Sequence, residues 1–192
     1  MSTLHFVFHR TCQRSGRKEP SMNSRKAAGI IWLLLILLDQ FTKFLALTGL
    51  KGREPIVLIK NVLELRYVEN RGAAFGILQN RQWVFLAVSV LVLAGIFILS
   101  RRIPKERKYL PLLICFYFIG AGAAGNMIDR IFRRYVVDFI YFRLIDFPVF
   151  NVADIYVTCS CILLILLLFF HYGEEDLEKC FSFGKKRGNA DE

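Results

Sequence analysis

Gly29-Ile30-Ile31-Trp32-Leu33-Leu34-Leu35-Ile36-Leu37-Leu38 runs without a break into Asp39-Gln40-Phe41-Thr42-Lys43. The apolar stretch, taken from Ala27 to about Leu47, has the ~20 residues that a helix needs to cross a bilayer core. Three later stretches read the same way: Trp83 to about Leu99, Tyr109 to about Ile128, and Ala153 to about Tyr172. The pattern predicts a membrane α-helical protein with four transmembrane helices. Arg25 and Lys26 before the first run give it the look of a signal peptide. Asp39 to Lys43 stand where a cleavage site would need small residues, so the run reads as an uncleaved span.

The composition agrees. The chain has 192 residues, 55% hydrophobic, with 18 Phe and 5 Cys. One domain fits this size; disorder, a disulfide scaffold and a collagen-like chain do not. The formal net charge of +10 invites a nucleic-acid reading until the charges are located. Arg10, Arg14, Arg17, Lys18, Arg25 and Lys26 precede the first span. Arg101, Arg102, Lys105, Arg107 and Lys108 crowd the short loop between spans two and three, and Lys179, Lys185, Lys186 and Arg187 follow the last span. Short basic segments stay cytoplasmic. Both termini are therefore expected inside, with the two longer and less basic loops outside. The expected organisation is a basic tail over 1–26, a four-helix membrane unit over 27–172, and a tail over 173–192. Met22 is a normal start for such a chain, and residues before it are expected to be dispensable.

Cys115, Cys159 and Cys161 lie within spans, Cys12 and Cys180 in tails, and His5, His9 and His171 are scattered. No Cys/His grouping has metal-ligand spacing. The informative residues are polar ones placed where charge is costly. Asp39 and Lys43 share a helix face and can pair, either fixing the helix end or shaping a polar site. Val57 to Val68 carry β-branched and apolar residues in partial alternation, which predicts short strands. Asn70-Arg71-Gly72-Ala73-Ala74-Phe75-Gly76 reads as a turn of small residues. Gly120, Gly122 and Gly125, then Asn126, suit close helix packing in lipid. Asp129 and Arg130 follow at once.

Asp138 sits within Val136-Val137-Asp138-Phe139-Ile140, where an unpaired charge is expensive. Asn151 can cap the fourth span, with Asp154 in its first turn. Two carboxylates held together in a partly dry place share a proton and can activate water between them. Spacing alone leaves open whether Asp138 and Asp154 meet. Because the acids gather at one end of the spans, a channel path through the membrane fits less well than an enzyme site. A membrane scaffold with purely structural polar groups is the third class.

Taken together, Asp39-Gln40-Phe41-Thr42-Lys43, Asn70 to Phe75, Gly125-Asn126-Met127-Ile128-Asp129-Arg130, Val136 to Ile140 and Phe147 to Asp154 resemble the signal peptidase II family, the bacterial lipoprotein signal peptidases. The resemblance covers Ala27 to about Tyr172. It implies an extracytoplasmic β-cradle from the first outer loop, a lid-like second outer loop, and a bacterial cytoplasmic (inner) membrane location. It implies Asp138 and Asp154 as the catalytic dyad of an aspartic endopeptidase. Asp39, Lys43, Asn70, Gly72, Asn126, Asp129, Arg130 and Asn151 would form the polar surround. The implied substrate is a diacylglyceryl-modified prolipoprotein, cut just before its lipidated cysteine, with membrane lipid as a partner and the peptide antibiotic globomycin as an inhibitor. No metal, cofactor or nucleic acid is expected, and a monomer is. Where the family usually has Gly, four residues after Arg130, this chain has Arg134, so the loop there is expected to bend differently.

Overall fold

The computed structural model describes residues 22–72 and 81–181. The expected dispensability of the residues before Met22, the turn over Ala73–Gly76, and the basic residues Lys185 to Arg187 lie outside them. Four helices are long and apolar enough to cross a membrane, with spans at Gly29–Gly49, Gln82–Arg102, Arg107–Phe132 and Val152–Phe170. The helices are α1 (Met22–Gly49), α2 (Gln82–Arg102), α3 (Leu110–Phe132) and α4 (Val152–Phe170). The predicted spans match them within a few residues, and α1 begins earlier, at Met22.

A soluble helix buries its apolar stripe; α1 turns most of its own outward. On α1 the buried residues are Ile36, Asp39, Lys43 and Ala46, one helix face, while Leu33, Leu34, Leu37, Leu38, Phe41 and Phe44 point outward. With hydrocarbon as solvent there is no penalty for outward leucines. Helix association then depends on close backbone approach, and α3 supplies it. A Cβ on Gly122 would stand 2.5 Å from the Ala153 carbonyl oxygen and 2.7 Å from Val157 Cγ2. A Cβ on Gly125 would strike the Asp39 carboxylate. The small residues thus seat both α4 and α1 on α3.

At one end of this bundle lies a three-stranded antiparallel sheet in the order β1 (Ile56–Ile59), β2 (Leu63–Asn70), β3 (Val136–Phe142). The first two strands come from the first loop, as expected. The third corrects the expectation of a cradle built from that loop alone, because it comes from the second loop and carries Asp138. Val68 stands opposite Asp138 and Asn70 opposite Val136. Val137 and Phe139 pack with Ala46 and Leu50, so the sheet sits on the end of α1.

Arg134, in the turn from α3 to β3, has φ 65°. The turn therefore adopts the left-handed bend that glycine favours, with an arginine in it. The expected C-terminal tail over 173–192 carries a further element. Glu174–Phe181 forms a helix, α5. Cys180 is buried with Tyr109, Leu112, Phe116 and Tyr172, and Leu177 packs against the same group.

Candidate active site

β3 and the first turn of α4 bring Asp138 and Asp154 to one cleft of about 520 Å³. Its lining also includes Asn70, Gly72, Arg130 and the lid residues Phe147, Pro148 and Phe150. Asn151 makes the junction. Its side-chain oxygen accepts from the Asp154 amide at 3.1 Å, and its own backbone amide donates to Asp154 Oδ2 at 3.1 Å. This reciprocal cap starts α4. The Asn151 Nδ2 then donates to Asp138 Oδ1 at 2.7 Å and to Asn126 Oδ1 at 3.2 Å. Capping and site assembly, alternatives in the sequence, are the work of one side chain.

Three asparagines aim their amide nitrogens at the two acids. Asn70 Nδ2 donates to Asp138 Oδ2 at 2.8 Å, and Asn126 Nδ2 to Asp154 Oδ1 at 2.8 Å. An amide can flip unless its oxygen is claimed by a group that can only donate. Each oxygen here is claimed in that way. The Gly72 backbone N–H holds Asn70 Oδ1 at 3.0 Å, and the Asp154 N–H holds Asn151 Oδ1. The Lys43 ammonium holds Asn126 Oδ1 at 2.8 Å.

Lys43 is fully buried, as are Asp39 and Asp129. Its ammonium lies 2.9 Å from Asp39 Oδ2 and 3.1 Å from Asp129 Oδ2. Asp39 Oδ1 also accepts the Ala153 amide at 3.0 Å, and Asp129 Oδ2 the Val137 amide at 3.2 Å. Arg133 pairs with Asp129 from the adjacent turn. Two acids and two bases thus balance behind the cleft, and their spare lone pairs fix the starts of α4 and β3. Arg133 and Gln40 are members that the sequence reading did not single out. Gln40 Nε2 donates to the Gly125 carbonyl at 3.1 Å and its oxygen accepts from Arg133 at 3.3 Å. Their signal was adjacency, Gln40 beside Asp39 and Arg133 one turn after Asp129.

Asp138 is 1% exposed, and burial pushes its carboxyl up to about 7, helped by the negative charge of Asp154. The Asn70 and Asn151 hydrogen bonds and the Lys43 charge oppose that rise. Arg130 lines the cleft beside them, its guanidinium 4.7 Å from the centre of the Phe85 ring and donating to the Asn126 carbonyl at 3.3 Å. Of the expected polar surround, Asn70, Gly72 and Arg130 line the cleft, Asn126 and Asn151 stand one hydrogen bond behind it, and Lys43, with Asp39 and Asp129 on it, stands farther back through Asn126. No grouping of His, Cys, Asp and Glu suited to a metal occurs among the described residues.

The pattern of a signal peptidase (SPase) II matches residues 31–170. The chain belongs to the signal peptidase II family. A lipoprotein signal peptidase of Brevibacillus brevis is 44% identical over 140 residues, covering 73% of this chain and 93% of the relative. One of Geobacillus thermodenitrificans is 46% identical over 151 residues, covering 73% and 91%. Among solved structures, a bacterial membrane enzyme superposes with a TM-score of 0.67 at 27% identity, over 91% of this chain and 98% of that one. This signal peptidase II is thus a multi-pass membrane enzyme of the aspartic type, and the helix α5 falls beyond the matched residues.

Proposed function

We propose that Asp138 and Asp154 are the catalytic dyad, and that the chain removes the signal peptide of diacylglyceryl prolipoproteins by cutting just before the lipidated cysteine. The observation that carries the reading is the pair of carboxylates on one cleft, each oxygen engaged by one N–H donor, with burial keeping a proton on Asp138 near neutral pH.

In that state Asp154 is the base and Asp138 the acid. Asp154 takes a proton from water as the water oxygen bonds to the scissile carbonyl carbon. Asp138 gives its proton to the carbonyl oxygen, forming a neutral tetrahedral diol. Collapse breaks the C–N bond: one hydroxyl proton returns to Asp138 and the proton on Asp154 passes to the leaving amine. Proton transfer of this kind contributes ~10²–10⁴-fold, and the rest is positioning and exclusion of water. A mechanism that needs one carboxylate charged and the other protonated gives a bell-shaped rate profile.

Asn70, Asn126 and Asn151 order the dyad, Lys43 holds Asn126, Asp39 and Asp129 hold Lys43 and the starts of α4 and β3, and Gly72 and Arg130 border the bound peptide. The site lies at the extracytoplasmic face of a bacterial cytoplasmic (inner) membrane, with both termini in the cytoplasm. The short basic loop Arg101–Lys108 and the four crossings support that orientation. The enzyme works as a monomer in lipid, needs no cofactor, and takes globomycin in the same cleft.

Cleavage of a diacylglyceryl prolipoprotein peptide by full-length enzyme in lipid tests the dyad. Asp138→Asn and Asp154→Asn should each abolish it while unfolding cooperatively like the parent. Parent-like turnover by either variant overturns the assignment.

A further inference from the structure

β1 is an anomaly in a folded protein. Ile56, Val57, Leu58 and Ile59 are 51%, 54%, 52% and 55% exposed. Successive strand residues point to opposite faces, so equal exposure along the run means that neither face of β1 is covered. β1 is also an edge, paired to β2 on one side. A bare apolar edge strand in water is an aggregation site.

The strand does not stand alone. Ile59 lies opposite Leu63, and Leu63 lies opposite Phe142. The register therefore brings the tip of β1 to the start of the lid, where Leu144 and Ile145 are 68% and 69% exposed. The Arg143 amide donates to the Val62 carbonyl at 2.9 Å and its guanidinium to Glu64 at 2.6 Å, which ties lid and hairpin together. The apolar patch thus joins β1 and lid. It begins a few residues after α1, whose own outward residues Phe41, Phe44 and Leu45 face hydrocarbon. Exposed Arg53 and Lys60 flank it, with Glu54 beside Arg53, while Lys51 is paired with Glu69 at 2.9 Å.

We infer that β1 and the first turn of the lid form a lipid-binding surface, lying in the membrane interface at the dyad end of the bundle. Two features set the depth. The patch belongs to the sheet that sits on the end of α1, a few residues of chain beyond that helix's outward apolar face, which puts it at the level of the bilayer surface. Its open edge of backbone N–H and C=O groups is too costly for the hydrocarbon core, so it rests at the boundary of head groups and chains. Arg53 and Lys60 then reach the head-group phosphates. The surface holds the sheet, and with it the cleft mouth, at the level where a lipid-anchored peptide emerges from the bilayer.

The inference rests on the four spans and not on the dyad, so it can be read without turnover. The full-length chain carrying Leu58→Trp, with Trp32→Phe and Trp83→Phe, is reconstituted in phosphatidylcholine–phosphatidylglycerol vesicles. Blue-shifted emission is expected, with most of the fluorescence lost to phospholipid brominated near the head group, less to phospholipid brominated near the chain end, and little to aqueous iodide. Val57→Trp in the same background should respond alike, because both faces are bare, and it serves if the first variant folds poorly. Red-shifted emission quenched by iodide alone would place the strand in water and overturn the inference. Blue-shifted emission that neither quencher reaches would assign the face to protein, a second copy first, and overturn it equally.

Discussion

Asp138 and Asp176 are both buried acids at opposite ends of the bundle, and they are treated in opposite ways. Asp176, on α5, accepts the Lys108 ammonium at 2.5 Å, the Tyr109 hydroxyl at 2.9 Å and the Gly173 amide at 3.2 Å. Lys108 and Tyr109 hold its carboxyl down at about 2. Asp138 receives only neutral amide donors and faces another acid, and it rises to about 7. One end of the molecule spends its acid on a latch, with Tyr109 stacked on Tyr172 at 5.7 Å. The other keeps its acid poorly compensated, which is the condition for moving a proton at neutral pH.

The largest effect that would break this contrast is on turnover. Asp138→Asn and Asp154→Asn should each lower kcat/KM by at least about 10³-fold, whereas Asp176→Asn should leave it within a few-fold. A large catalytic loss in Asp176→Asn would mean that the latch is coupled to the site. Next is Lys43→Met, which strands buried Asp39 and leaves Asp129 to Arg133 alone, and should cost about 3–5 kcal/mol by denaturation in detergent. It should also raise the apparent pKa of the basic limb of the rate profile, because the Lys43 charge that opposes the rise of Asp138 is gone. An unmoved limb would limit Lys43 to a structural role.

The two acids should also give opposite slopes of stability with pH. Asp138 keeps its proton in the fold while the unfolded chain ionises, so between about pH 4 and 7 its contribution falls as pH rises. Asp138→Asn should remove that slope in thermal unfolding measured against pH. Asp176 is depressed, so its contribution is full above about pH 4 and is lost as pH falls toward 2. Asp176→Asn should remove that acid-side loss. The smallest effect concerns Arg134. A left-handed arginine costs ~1 kcal/mol relative to glycine. Arg134→Gly should therefore raise the unfolding midpoint slightly without altering cleavage; a fall in stability would show that the guanidinium does more than tolerate its bend.

The spans were legible because hydrocarbon demands an unbroken apolar run, and such a run needs no partner to be recognised. β3 was not, because Val136 to Phe142 lacks clean alternation and pairs with a strand far earlier in the chain. α5 was missed because its anchors are Tyr172, Asp176 and Cys180, residues that read as tail. For the site, the family motifs named the polar residues, and Asp39–Lys43 could be paired from helix spacing. The meeting of Asp138 with Asp154 could not be read from spacing. It depends on Asn151, whose capping role is local and legible but whose second hydrogen bond crosses to another element.

The three asparagines carry one more consequence. Each presents an N–H to a carboxylate and an oxygen to a donor. Deamidation, the slow hydrolysis that ages many proteins, replaces just that nitrogen with oxygen. At Asn70, Asn126 or Asn151 it would set a third carboxylate against the pair and abolish the donor at once. An enzyme that hydrolyses amides can thus be silenced by the hydrolysis of one of its own. The lifetime of the site is set by how well burial and fixed geometry keep water from those three side chains.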